Sequence, residues 1–197
     1  MIILVAGKSG SGKSTFAKVL AEKLNFKYVD IDKIGHKIYE NPSLMEELKI
    51  LFGNAIFDEN GNFDRKRLGK IVFSEKGSKK VEKFNEITWK HMEELIDKEL
   101  LENTILDWIL LPNTKYFELG DLKILVKPEN EEVRIQNIIK RDNVSREYVL
   151  LRDKGSIPYN EKEFDFVIKN NYNYEKFESE INKVVDHIKK GENVLWK

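Results

Sequence analysis

Short apolar runs interrupt an otherwise polar chain. Ile2 to Ala6, Thr104 to Trp108 and Leu122 to Val126 each have the length of a buried strand, and Lys27 to Asp30 and Asp165 to Ile168 are weaker versions. Residues that are apolar at consecutive rather than alternate positions suit strands covered on both faces, as in a parallel sheet. Helical spacing lies between these runs. Phe16, Val19, Leu20 and Leu24 share one helix face directly after the first run, and Phe177, Ile181, Val184, Val185 and Ile188 share another near the end. The order strand, loop, helix, strand demands a crossover, which the right-handed βαβ rule turns into parallel pairing. From Asn41-Pro42-Ser43 to about Glu102 the pattern is mainly helical, broken by the turn Asp58-Glu59-Asn60-Gly61 and restarted at Asp64 as an N-cap. The expected fold is α/β, three layers around about five parallel strands. One domain over 1–197 is expected, with its core at about 1–40 and 103–197, a helical substrate-side insertion at about 41–102, and a helical lid at about 137–158.

Composition then narrows the chemistry. The chain has 197 residues, 41% hydrophobic and 35% charged, and its 34 Lys and Arg balance its 34 Asp and Glu. A balanced charge advertises neither a nucleic-acid nor a membrane surface, so any anion site must be local. There is no cysteine, which removes disulfides, thiolate metal sites and a cysteine nucleophile. His36, His91 and His187 are too scattered for a zinc cluster, while a magnesium ion held by oxygen fits the composition. No apolar run reaches membrane-spanning length and the start lacks a signal-peptide pattern, so a cytoplasmic location is expected.

The most specific motif is Gly7-Lys8-Ser9-Gly10-Ser11-Gly12-Lys13-Ser14, which has the P-loop form Gly-x-x-x-x-Gly-Lys-Ser and sits after a strand and before a helix. Consecutive backbone N–H groups must curl around phosphate oxygens without Cβ atoms in the way, and glycine permits that shape. A bare glycine turn would not need this strand-to-helix placement. The expected fold is therefore of the P-loop NTPase type. Gly7 to Ser14 and Thr15 are expected to bind ATP, with Lys13 reaching the β and γ phosphates and Ser14 binding Mg²⁺. The base-reading segment of a regulatory GTPase is absent, and the chain is short for a motor ATPase. A small-molecule kinase fits better.

Asp30-Ile31-Asp32 follows the second strand, at the edge where open α/β sheets place ligands. Asp32 is the candidate base or orienting group for an acceptor hydroxyl, and capping of the next helix is the competing role for either carboxylate.

At this point the chain resembles the dephospho-CoA kinase family. The resemblance lies in the P-loop, in Val29-Asp30-Ile31-Asp32-Lys33, and in the run Phe52-Gly53, Ile56, Gly61, Phe63-Asp64-Arg65, Leu68 and Ile71-Val72-Phe73. Asn85, Ile87, Asp107, Asp165, Ile168, Asn170 and Asn171 continue it. The resemblance implies ATP-dependent phosphorylation of the ribose 3′-hydroxyl of dephospho-CoA, the last step of CoA synthesis, by a monomer or weak homo-oligomer. It implies catalytic roles for Asp32, Lys13 and Arg141, nucleotide contacts from Arg141, Asn170 and Asn171, and a magnesium role for Asp107 beside Ser14. Asp32, Asp64, Arg65, Asn85, Trp89 and Asp107 are the implied acceptor contacts. The chain departs from the family at Trp89-Lys90, at Ile109-Leu110-Leu111, at Lys8 and Ser9, at Ser156 and at Asn137, which stands where an arginine is expected. A kinase for another small metabolite and a non-catalytic nucleotide- or CoA-binding protein remain alternatives.

Arginines cluster from Arg141 to Arg146 and on to Arg152, on two short helices meeting at a turn, the layout of a mobile lid. Arg134 and Arg146 read equally as phosphate contacts or solvated helix charges. Trp89, Trp108 and Trp196 read as packing residues before stacking platforms, and His36 and His91 as exposed helix residues.

Overall fold

A computed structural model describes residues 1–191 of the chain, and Trp196 lies outside them. In chain order the elements are β1 (Ile2–Ala6), α1 (Lys13–Leu24), β2 (Lys27–Asp30), α2 (Ile31–Lys37), α3 (Pro42–Phe52), α4 (Arg65–Ser74), α5 (Lys79–Glu99), β3 (Thr104–Asp107), α6 (Tyr116–Leu119), β4 (Leu122–Pro128), α7 (Glu131–Asp142), α8 (Arg146–Lys154), β5 (Phe166–Asn170) and α9 (Tyr174–Lys190). They form two compact units, one of Met1–Ile31 with Leu101–Lys197 and one of Asp32–Leu100.

The first unit contains a five-stranded sheet in the order β2-β3-β1-β4-β5, parallel throughout. β1 is central because it can be covered on both sides: Ile3, Leu4, Val5 and Ala6 have no exposed surface. Ile3 and Val5 pack with Phe16 and Leu20 of α1 and with Phe177 and Ile181 of α9. Leu4 projects to the other face, against Gly120, where a Cβ would collide with it. Fully burying each such side chain is worth roughly 1.5–3 kcal/mol, so the strand that begins the sequence also anchors the sheet.

Three strands differ from the sequence pattern at their ends. β3 stops at Asp107 rather than Trp108, and β4 continues to Pro128. β5 covers Phe166–Asn170, not Asp165 to Ile168. Asp165 is displaced because its Oδ2 accepts the Lys123 N–H at 2.7 Å, while Lys169 and Asn170 stay in the ladder opposite Lys127 and Pro128.

The second unit is helical around Leu44, Leu48, Phe52, Ile56 and Leu68. Asp64 caps α4 as the sequence indicated, accepting the Lys66 and Arg67 N–H groups at 2.8 and 3.1 Å. The Asp58 turn is likewise closed by its own carboxylate, which accepts the Asn60 and Asn62 N–H groups. His36 is exposed, but His91 is not: it is 4% exposed, correcting the expectation of a surface residue. Its Nε2 lies 2.9 Å from Glu47 Oε1, and its Nδ1 lies 3.2 Å from Asn41 Nδ2. Asn41 Oδ1 already caps α3 by accepting the Ser43 N–H. The Asn41 amide N–H therefore faces the ring, which assigns the ring proton to Nε2, donating to Glu47. Phe84, Thr88, His91 and Leu95 share one face of α5 at helical spacing, a signal that could have shown the burial.

Candidate active site

Between β1 and α1 the chain closes into a small loop. Gly12, the N-cap of α1, adopts φ 95, and the Asn170 amide occupies the space a Cβ would need. Gly10, at φ 76, lets Ile138 of α7 approach to within 2.7 Å of where its Cβ would stand. Three consecutive carbonyls of the loop are held from outside. Ser9 O accepts from Arg134 Nη1 at 3.0 Å, Gly10 O from the Tyr172 hydroxyl at 3.0 Å, and Ser11 O from Asn170 Nδ2 at 2.9 Å. A trans peptide places its N–H opposite its C=O. Fixing the Ser9 and Ser11 carbonyls therefore turns the Gly10 and Gly12 N–H groups the other way, as a phosphate cradle requires.

The charged centre lies at the C-terminal ends of the strands, where Asp30 and Asp107 are register partners and Val5 pairs with Asp107. Lys13, the first residue of α1, places Nζ 3.6 Å from Asp107 Oδ1 and 3.5 Å from Ser14 Oγ. Asp107 is 2% exposed. Its Oδ2 accepts the Tyr28 hydroxyl at 2.9 Å, whereas Oδ1 has no hydrogen-bond partner. Burial first, and then the Asp107 carboxylate, push the Tyr28 phenol above its ordinary pKa, so it remains a donor. The other buried side-chain oxygen without a hydrogen bond among the described residues is Ser11 Oγ, in the loop itself. Unmet polar capacity thus collects at one place, which is where a ligand can repay it.

These donors fit a magnesium ion. A carboxylate oxygen and a hydroxyl are hard oxygen ligands, and Mg²⁺ commonly takes one or two of them plus water and substrate phosphates. Among the described residues no cluster of three or more His, Cys, Asp or Glu could hold a metal by itself.

Arg134 is the residue that sequence reasoning ranked least well. Its side chain is 1% exposed. Nε donates to Glu131 at 2.6 Å, and the two terminal nitrogens fork onto Asp153 of α8 while Nη1 also serves Ser9 O. Burial would lower its pKa, but the hydrogen bonds it donates to Asp153 and Glu131 outweigh this and raise it. Arg141, by contrast, has a side chain 58% exposed and donates to its neighbour Asp142 through Nε at 2.6 Å and Nη2 at 2.9 Å. Arg152 Nη1 lies 3.6 Å from the same carboxylate. Arg146 forks onto Glu132 of α7 at 2.5 and 2.8 Å, holding that carboxyl down at about 2. Lys8 pairs with Glu131 at 3.6 Å, and Asn137 is exposed.

Asn170 is buried in β5 with its amide committed to Ser11 O and its Oδ1 to the Tyr172 N–H. Asn171 accepts the Asn173 N–H and is half-buried. Trp108 is buried as a packing residue. In the second unit, Asp32 is exposed in the first turn of α2, Asn85 is exposed on α5 and Trp89 is half-buried there. Arg65 covers the Tyr39 ring at 5.4 Å and contacts His36. Asp64 belongs to the α4 cap. Sequence reasoning missed Tyr28 and Tyr172, and it weighed Arg134 evenly between a phosphate contact and a solvated charge without seeing its hold on the loop carbonyl. Of the two tyrosines only Tyr28 carried a signal, a hydroxyl on a buried strand just ahead of the carboxylate pair.

Comparison with known proteins points one way. The family model for dephospho-CoA kinase matches residues 1–176. A dephospho-CoA kinase of Fusobacterium nucleatum is 42% identical over 181 residues, covering 89% of this chain and 92% of that one. One from Campylobacter jejuni is 33% identical over 198 residues, covering 95% and 96%. Among solved structures, a Thermus thermophilus protein aligns with TM-score 0.78 at 27% identity over 95% of this chain and 97% of its own. A dephospho-CoA kinase from Campylobacter jejuni aligns with TM-score 0.59 at 30% identity over 96% and 98%. A shikimate kinase from Bacteroides thetaiotaomicron, at 14% identity and TM-score 0.55, shares the fold.

Proposed function

The chain belongs to the dephospho-CoA kinase family, and we propose that it transfers the γ-phosphoryl group of ATP to the ribose 3′-hydroxyl of dephospho-CoA, yielding CoA and ADP. The observation that carries this reading is the cradle: a P-loop with its carbonyls fastened outward, beside a buried Lys13–Asp107 pair with one carboxylate oxygen unmet. In the transfer, the bond from the acceptor O3′ to the γ-phosphorus forms as the bond to the β,γ-bridging oxygen breaks, and the hydroxyl proton leaves toward Asp32. Backbone N–H groups of the loop and Lys13 hold the β and γ phosphates, and Arg141 neutralises charge on the group in flight. Ser14 and Asp107 would hold a magnesium ion, which would supply further charge neutralisation. Catalysis of this kind is mostly positioning, so Asp32 acts as much by orienting the hydroxyl as by taking its proton.

In this reading the Asp32–Leu100 unit serves the acceptor, because the family-like run from Phe52 to Phe73 lies in it, with Asp64, Arg65, Asn85 and Trp89 on the acceptor side. The segment at about 137–158 is the lid. The enzyme works in the cytoplasm on small molecules, as a monomer or weak homo-oligomer. No described helix is long and apolar enough to cross a membrane.

The test is direct. Purified protein with ATP, Mg²⁺ and dephospho-CoA is expected to form CoA and ADP in equal amounts, read by mass spectrometry. ADP release with shikimate, a nucleoside or pantetheine, and none with dephospho-CoA, would overturn the acceptor assignment.

A further inference from the structure

Tyr28 takes no part in the chemistry just described, yet it is hydrogen-bonded to one of the groups assigned to the metal. It lies on β2 opposite Ile105, with its ring against the core cluster that also contains Val5 and Phe16. Side chains two residues apart on a strand share a face, so Asp107 lies diagonally across from Tyr28 on β3, within reach of an aromatic side chain. The hydroxyl covers that diagonal and donates to Asp107 Oδ2 at 2.9 Å.

The proton count sets the direction of this bond. Asp107 is a carboxylate and can only accept, so the single phenolic proton goes to Oδ2. The phenol thereby occupies one carboxylate oxygen and fixes the rotation of the carboxylate, leaving Oδ1 without a hydrogen bond. Lys13 Nζ, 3.6 Å from Oδ1, marks the side on which that oxygen is available.

We propose that Tyr28 is a positioning residue that orients Asp107 as a ligand for the nucleotide-bound divalent cation. The proposal rests on the metal role given to Asp107 above. It does not depend on which acceptor is phosphorylated. Outer partners of this kind are worth about 10–100-fold in metal affinity.

The test measures Mn²⁺ binding to the protein–ADP complex by electron paramagnetic resonance, without acceptor and without turnover, for the natural protein, Tyr28→Phe and Asp107→Asn. ADP affinity in EDTA and the melting temperature serve as controls for a folded cradle. Tyr28→Phe is expected to weaken Mn²⁺ binding about tenfold with metal-free ADP affinity unchanged, and Asp107→Asn to weaken it more. If Asp107→Asn weakens Mn²⁺ binding and Tyr28→Phe matches the natural protein, the Tyr28 role is wrong and the metal assignment stands. If neither variant changes Mn²⁺ binding, both are wrong, while formation of CoA from dephospho-CoA is untouched. Equal losses of ADP affinity with and without metal in Tyr28→Phe would also overturn the proposal, because that is the signature of a damaged cradle.

Discussion

Arg134 and Arg141 are two helical turns apart on α7 and are used in opposite ways. Arg134 is buried and fastened to a loop carbonyl, to Glu131 and to Asp153. Arg141 is exposed and bonded to the carboxylate of the next residue, which Arg152 also approaches. The difference is one of replaceability. Removing Arg134 leaves Ser9 O and the partly exposed Asp153 without that donor, which is costly. Arg141 can exchange Asp142 for a phosphate at small cost, because an exposed pair is worth about 0–1 kcal/mol. Arg134 and Arg141, the latter being the one proposed for the transferred phosphate, thus differ in what surrounds them, not in the element that carries them.

The sharpest test of that contrast is Arg141→Ala. Turnover is expected to fall by about 10³-fold, the lower end for a transition-state arginine, with the melting temperature unchanged. A fall in stability with turnover retained would reverse the two roles. Arg134→Ala should do the opposite kind of damage. Asp153 is partly exposed and can recover some hydration, so the lower end of the buried-pair range applies, about 3 kcal/mol. Thermal melts should move down by about 6–12 °C, and ATP affinity should drop because the Ser9 carbonyl is no longer held outward. Unchanged ATP binding in a folded Arg134→Ala protein would show that the loop keeps its shape without this support.

The smallest expected effect concerns the exposed Arg146–Glu132 pair joining α7 to α8. Hydrogen bonds from Arg146 and Gln136 lower the Glu132 carboxyl from 4.5 to about 2. A depressed carboxylate stabilises the fold fully above its unfolded pKa and loses that contribution as pH falls through the folded one. The melting-temperature gap between the natural protein and Glu132→Gln should therefore be constant from pH 7 to 5, and narrow as pH falls from about 4.5 toward 2. A gap independent of pH would remove charge from the account of this contact.

Much of the frame was legible in the chain. β1 and β2 have the bounds their apolar runs indicated, and the Asp64 cap and the α9 face follow from local spacing. Errors fell where a side chain rather than hydropathy sets the boundary. Asp165 reads as the first residue of a strand, yet its carboxylate serves the Lys123 N–H; Asn170 reads as a nucleotide contact beyond the last strand, yet it is buried within β5 with its amide on Ser11 O. His91 reads as a surface residue because a polar group on an apolar helix face is buried only if partners exist, and Glu47 and Asn41 are distant in sequence.

By itself the sequence determined the strand, glycine loop and helix that can hold a triphosphate, since each depends on residues only a few positions apart. It also carried the family resemblance that assigns an acceptor. The tertiary structure alone decided which groups finish the site: Tyr28 on Asp107, Arg134 on Ser9 and Asn170 on Ser11 span separations of 79, 125 and 159 residues. The physical reason is that a donor's value depends on whether its acceptor is buried and otherwise unmet. Burial and partnership at such separations exist only once the sheet has brought its strand ends together.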